Sequence, residues 1–339
     1  MTRIDKLCAK GIRRIGKPKR GFRYQKADGR KPSREDLSRI EALKIPPAWE
    51  DVCINSSAAG AVQAVGKDAA SRWQYLYHDS HVRRQEKKKF QRLIEFAESL
   101  PRMRKTMAVH LRLKGLPRER VMASILRILS LSFIRPGSEV YATENGSYGI
   151  ATLRPKHLKV KGDLVIFDFP GKSGVLQHQE LRDRTVARVV RELLKQPARD
   201  VFKYANGDGI FIDVKRRHIN TYIREVLGKS FSAKDFRTWA GTLICACALA
   251  RAQGNAGGKK PLRKRQLVEA IKETAEALGN TPAVCRSSYI CPLIMSSFEI
   301  GQVLDRYFVS VKELTRYRGT SLHPAERSLL SFMKRQNQA

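Results

Sequence analysis

The sequence predicts an α+β protein: a small N-terminal antiparallel β-sheet domain, residues 1–81, and a larger, mainly α-helical domain, residues 82–339, that carries a small three-stranded sheet. Three observations predict it. A length of 339 residues suggests about two domains. Strand-like alternation is concentrated in the first eighty or so residues, and recurs only near residues 158–178. Beyond residue 82 the apolar residues otherwise recur mostly at helical spacing.

The elements follow in order. Residues 1–40 carry fourteen Lys/Arg against four Asp/Glu with little periodicity, and read as a basic arm lying on nucleic acid. From Ile45 a proline-initiated strand begins, with Val52 and Ile54 alternating against polar neighbours. Residues 58–79 read as two strands around a Gly66-Lys67-Asp68 turn, with Val62, Ala64, Trp73, Tyr75 and Tyr77 in period two. A basic helix follows over residues 82–99, its apolar stripe being Phe90, Leu93, Ile94 and Ala97, and the domain boundary is placed just before it. Val121–Phe133 is apolar on nearly all sides, as a buried helix is. Leu158–Val160 and Leu164–Phe169 are strand-like, and a tight turn over residues 170–174 returns the chain along Val175–His178. Asp183 can cap a helix whose stripe is Val186, Val189, Val190, Leu193 and Leu194. Gly257-Gly258, before Pro261, reads as a flexible basic loop. A last clear stripe, Leu267 to Leu278, ends at Gly279.

Composition narrows the function. Lys and Arg number 66 against 32 Asp and Glu, a formal charge of +34, and runs such as Arg83–Arg92 (RRQEKKKFQR) and Lys259–Arg265 concentrate it. A field of this size calls for a polyanion, and nucleic acid fits better than an anionic membrane. A hydrophobic fraction of 42% argues against general disorder. The longest near-apolar stretch, Trp239–Ala250, falls short of the roughly 18 residues a membrane helix needs. The basic N-terminus is followed by no apolar signal core, so a cytoplasmic, nucleoid-associated protein is expected. The six cysteines form no CxxC pair and read as reduced, mostly core-filling thiols. No zinc spacing and no acidic magnesium-type cluster is evident, so neither metal nor cofactor is expected.

Several residues draw attention, each with a plain alternative. Arg135 leaves the buried helix in SFIRPGS as an anion ligand or as a cation on the helix dipole. Lys172 sits at the tip of a glycine-flanked hairpin, where a lysine reaches a partner or merely solubilises a turn. Arg237, in SAKDFRTWAGT, follows Ser232 and Asp235 as possible caps, and an intrahelical ion pair would account for it. Lys234 opens the same K-x-x-R. Asn280 follows Gly279 before Pro282, where an asparagine can simply satisfy backbone amides at a helix start. Tyr289, nine residues on, is one of ten tyrosines.

Taken together, the order Arg, hairpin Lys, K-x-x-R, then Asn and Tyr nine apart resembles the type IB DNA topoisomerases of the small poxvirus-like and bacterial kind. IPPAWEDV, AVGKDAASRWQYLYH, NGSYGIATL, FPGKSG, LRDRTVARVV, FSAKDFRTWAGT and LGNTPAVCRSSYI read like bacterial members, from about Lys44 to Pro292. The resemblance implies a C-shaped clamp on duplex DNA, with the site in the helical domain. It implies Tyr289 as nucleophile, completed by Arg135, Lys172, Arg237 and the position of Asn280, which is histidine in the poxvirus-type enzymes. The residue types suit this chemistry. Two guanidiniums can hold the non-bridging oxygens of a five-coordinate phosphorane, the work a metal does elsewhere. A phenol of ordinary pKa ~10 must lose its proton, and Lys172 can return one to the leaving 5′-oxygen. Supercoils then relax through a 3′-phosphotyrosyl intermediate, strand rotation and resealing, without ATP.

For DNA contact outside the site, the resemblance points to Gln74, Tyr75 and Tyr77, against a plain aromatic strand as alternative. Lys234 is expected on the DNA face or at the phosphate, and Arg83, Arg84, Lys87, Lys88 and Lys89 on backbone phosphates. A monomer acting on duplex DNA, with no small-molecule substrate and no membrane, is the resulting expectation. A tyrosine recombinase shares the chemistry, but Lys234 stands where recombinases have histidine. A non-enzymatic architectural DNA binder explains the charge and leaves the ordered series to chance.

Overall fold

The computed structural model describes residues 2–18, 21–197, 199–254 and 260–338. The expected loop at Gly257-Gly258 lies outside the described residues. The chain divides into two compact units, Met1–Phe90 and Gln91–Ala339.

The first unit is built on a five-stranded antiparallel sheet. Its elements are α1 (Arg3–Lys10), β1 (Ile12–Lys17), β2 (Gly21–Lys26), α2 (Arg34–Ala42), β3 (Glu50–Ile54), β4 (Val62–Lys67) and β5 (Trp73–Tyr77). The strand order is β2-β1-β3-β4-β5. Ile12, Ile40, Val52, Ile54 and Ala64 form its buried centre, with Trp49 and Leu76 packed against it. The two expected strands around residue 68 are β4 and β5, closed by Arg72 N–H to the Asp68 carboxylate at 3.0 Å.

Residues 1–40, read from the sequence as a basic arm, instead carry α1, most of α2 and the two strands β1 and β2 of this sheet among the described residues. Both helices open with capping boxes, Thr2 with Asp5 and Ser33 with Asp36. Each box satisfies two backbone N–H groups reciprocally. The Arg14 guanidinium donates to the carbonyls of Pro46 (3.1 Å) and Trp49 (2.5 Å) and lies 4.1 Å over the Phe22 ring. Arg14 thus packs its stem along the sheet while its charged head finds main-chain partners. A second correction concerns the cysteines. Cys8 and Cys53 form a disulfide, because α1 packs on β3 and brings their Cα atoms to 5.1 Å. A pairing 45 residues apart leaves no spacing signature. Cys245, Cys247, Cys285 and Cys291 are outside any disulfide and buried, as core fillers are.

The helix α3 (Asp79–His110) holds the division between the units. The second unit continues with α4 (Arg118–Ser132), α5 (Glu139–Asn145), β6 (Leu158–Lys161), β7 (Leu164–Pro170), β8 (Leu176–Arg182), α6 (Arg184–Leu194), β9 (Lys203–Ala205), β10 (Phe211–Asp213) and α7 (Arg216–Leu227). It ends with α8 (Ala233–Gly254), α9 (Lys260–Leu278), α10 (Pro282–Ser288), α11 (Pro292–Glu299), α12 (Val311–Arg316) and α13 (Pro324–Gln338). The three-stranded sheet is β6-β7-β8, antiparallel; the β9-β10 ribbon was not foreseen. Asp183 caps α6, accepting from the N–H groups of Thr185 and Val186 at 3.0 and 3.1 Å. The helix α8 is buried along most of its length, so its apolar run reads as core and not as a surface stripe. Glu326, on α13, is 2% exposed and takes Arg104 on both oxygens and Trp239 Nε1 at 3.2 Å. This ties α13 to the first half of α8, close in sequence to Arg237.

Candidate active site

Four of the five expected site residues meet where three helices end. Helix α4 stops at Phe133, whose left-handed backbone (φ 56°) turns the chain out towards Arg135. The Arg135 carbonyl accepts from Ile150 N–H at 2.9 Å and that of Pro136 from Ala151 N–H at 2.9 Å, which fixes the segment. Helix α9 ends at Leu278 with Gly279 left-handed (φ 58°), and α10 starts at Pro282. Tyr289 closes α10, its N–H on the Cys285 carbonyl at 2.9 Å.

Arg237 is 3% exposed and joins these ends. One terminal nitrogen donates to the Phe133 carbonyl and the other to the Leu278 carbonyl at 2.7 Å. Both are carbonyls at helix C-termini, which lack intrahelical partners and carry the negative end of the dipole. So no intrahelical ion pair holds Arg237; two helix ends do. Its guanidinium carbon stands 5.0 Å over the Tyr289 ring. Arg135, half-buried, donates through Nη2 to Asn280 Oδ1. The cap of α10 is Thr281, which accepts from Val284 N–H at 3.4 Å, so Asn280 is not the residue that starts this helix.

The electrostatics follow. Burial pushes the Arg237 guanidinium down, Arg135 pushes it further, and it falls to about 10. Burial alone would raise the Tyr289 phenol, but charge and hydrogen bonding from Arg237 and then Arg135 outweigh it, and the phenol is held below its ordinary value. Arg237 Nε and Asn280 Nδ2 are buried with no hydrogen-bond partner among the described residues. Two cations and two unmatched donors around a phenol form a site suited to an anion with several oxygens.

Lys172 is set apart from this cluster. It lies exposed in the turn between β7 and β8, with no hydrogen bond or ion pair among the described residues. The turn is nonetheless tied to the Arg135 side of the site, since Tyr148 N–H donates to the Pro170 carbonyl at 2.8 Å. Lys234 stands exposed on the first turn of α8, whose start Ser232 and Asp235 secure.

The other expected DNA contacts lie mostly in the first unit. Tyr75 and Tyr77 are 41% and 44% exposed on one face of β5, with ring centroids 6.0 Å apart. Gln74 faces the other way, half-buried, and donates to the Asp68 carboxylate at 2.8 Å. Arg83, Arg84, Lys87 and Lys88 are exposed along the first turns of α3.

One residue at the site escaped the sequence reading. The buried Thr242 hydroxyl accepts from Cys291 N–H at 3.1 Å, and its one proton lies between the Thr238 carbonyl at 2.8 Å and the Tyr289 carbonyl at 3.2 Å, bracketing the tyrosine. A hydroxyl within an apolar helix was the available signal, since such a group needs a partner.

Comparisons with known proteins identify the family. Residues 79–297 match the family model described as the catalytic core of eukaryotic DNA topoisomerase I. Residues 21–68 match that of the N-terminal domain of bacterial DNA topoisomerase IB. The chain belongs to the type IB DNA topoisomerase family. DNA topoisomerase 1B of Acanthamoeba polyphaga mimivirus is 32% identical over 317 residues, 92% of this chain and 94% of the relative. DNA topoisomerase 1B of vaccinia virus (strain Copenhagen) is 24% identical over 284 residues, 82% of this chain and 85% of the relative. Among the described residues no helix is long and apolar enough to cross a membrane.

Proposed function

We propose that the protein relaxes supercoiled duplex DNA by transient cleavage of one strand, acting as a monomer in the cytoplasm on nucleoid DNA. Tyr289 Oη attacks the scissile phosphorus and gives up its proton to water. The new O–P bond forms as the bond to the 5′-oxygen breaks, and Lys172 Nζ gives that oxygen a proton. Arg135 and Arg237 hold the non-bridging oxygens as negative charge builds on them, and Asn280 Nδ2 donates a further, neutral hydrogen bond. The 3′-phosphotyrosyl bond conserves the energy of the broken one, so the reverse step reseals the strand without ATP. Tyr75, Tyr77, Lys234 and the basic turn of α3 hold the duplex, mainly through its backbone.

The observation that carries this reading is the pair of guanidiniums bearing on the Tyr289 phenol, with no carboxylate paired to either among the described residues. Arginines placed so favour a phenolate and then the phosphorane that replaces it. The test is relaxation of positively and negatively supercoiled plasmid with EDTA and no ATP. Wild type should relax both and leave a denaturant-resistant adduct on the 3′-phosphate. Tyr289→Phe should bind DNA and do neither. A persistent adduct in that variant would mean another tyrosine is the nucleophile.

A further inference from the structure

A proton donor must be aimed, yet among the described residues Lys172 has no hydrogen bond or ion pair that aims it. The geometry of its hairpin points to a different residue for that task. Gln177 pairs with Phe169 across the β7–β8 ladder, just beyond the turn. Its neighbours Val175 and Leu176 are 56% and 79% exposed, whereas Gln177 is half-buried. Its side chain runs beneath the turn: a Cβ placed on Gly171 would stand 2.7 Å from Gln177 Cγ. Its amide nitrogen donates to the Val175 carbonyl at 3.3 Å, the same carbonyl that accepts Gly171 N–H at 2.8 Å. The other end of the amide rests on the end of α9. A Cβ on Gly279 would meet Gln177 Oε1 at 2.2 Å, closer than any real side chain tolerates. One glutamine therefore fills the space between Gly171, next to Lys172, and Gly279, next to Asn280.

We propose that Gln177 is a positioning residue, a spacer that sets the Lys172 turn against the Gly279-Asn280 segment so that Nζ reaches the leaving 5′-oxygen. This rests on the reading of Lys172 as proton donor. Shortening the spacer lets the turn shift, and a misplacement of about 1 Å can cost on the order of 10²-fold in rate. The two glycines are part of the same device, since any larger residue at either would push the amide out.

The test uses single-turnover cleavage by the full-length protein on two substrates, one normal and one with sulfur as the 5′-bridging atom. The thiolate leaves without protonation, so only loss of the proton donor spares the sulfur substrate. Gln177→Ala should slow the normal substrate by about tenfold to a hundredfold and leave the sulfur substrate at the wild-type rate. The double variant with Lys172→Ala should be no slower than Lys172→Ala alone, because both act on one step. Rate constants are read separately from amplitudes, so a partly folded preparation does not mimic the result. Equal slowing on both substrates, or none, overturns the positioning role while Lys172→Ala remains selective for the oxygen substrate. If Lys172→Ala itself slows both equally, the proton-donor reading falls first, and the positioning role with it.

Discussion

Two parts of the second unit meet at the candidate site in opposite physical states. The Arg237–Tyr289 wall is wedged between helix ends: Arg237 is buried with both terminal nitrogens on main-chain carbonyls, and the Tyr289 ring lies half-buried against its guanidinium. The Lys172 hairpin is exposed, and its cation has no partner among the described residues. The difference suits the two tasks proposed for them. Charge that stabilises a transition state is most effective when fixed beforehand in a dry place. A proton donor has to meet a group that arrives with the substrate, and an exposed hairpin leaves its ammonium accessible to that group. Variants on the two sides should accordingly differ in what else they disturb.

The largest expected effect falls on the buried wall. Arg237→Ala should slow single-turnover cleavage by on the order of 10³-fold or more, since a charge and its hydrogen bonds are lost together. It should also lower the melting temperature, because the carbonyls of Phe133 and Leu278 lose their donor, each orphan costing about 1–3 kcal/mol. The pH dependence has a defined sign. Arg237 holds the Tyr289 phenol below its ordinary value, so removing it raises that pKa. Cleavage that needs the phenolate should then rise only at higher pH than in wild type. A pH–rate profile that keeps its position would show that Arg237 acts on the phosphate alone.

On the hairpin the expected loss is smaller and cleaner. Lys172→Ala should slow cleavage by on the order of 10²-fold. Its melting temperature should stay at the wild-type value, because no contact is removed. A shared fall in stability with Arg237→Ala would break the contrast between the two regions.

The same contrast explains what was legible in the sequence. The strands β3 to β5 and the helices α4, α6 and α9 follow from apolar periodicity, and Lys172 was readable as a turn lysine because glycines frame it. Burial of Arg237 was not readable, since its partners are carbonyls of Phe133 and Leu278, over a hundred and about forty residues away in sequence. Main-chain acceptors leave no trace in residue identity. Residues 3–42 hid for a related reason: capping boxes and an alternating Ile12, Phe22 and Tyr24 lie among so many Lys and Arg that charge dominates the pattern. Residues outside the apolar stripes, such as Gln177 and Thr242, act through contacts that only the folded chain makes.

Asn280 stands between the two regions, and the smallest effect is expected there. Its Oδ1 is taken by Arg135, which leaves Nδ2 as the free, buried donor. Asn280→Ala removes that donor and loosens Arg135 but leaves both guanidiniums charged. The loss should be about tenfold to a hundredfold, below that of Arg237→Ala, because a neutral hydrogen bond is roughly half as strong as a charge-assisted one. Asn280→His should retain activity, an imidazole being able to donate to the same oxygen. Asn280→Asp would keep the contact with Arg135 but repel the phosphate and neutralise half of the cationic pair, so it should be the slowest of the three variants. The alanine variant separates donation from a purely structural role. If Asn280 only holds the fold, Asn280→Ala should cleave at the wild-type rate and melt earlier. If it donates to the phosphate, Asn280→Ala should cleave slowly with DNA binding kept. Single-turnover cleavage rates of the three variants, with DNA binding measured separately, decide between these outcomes.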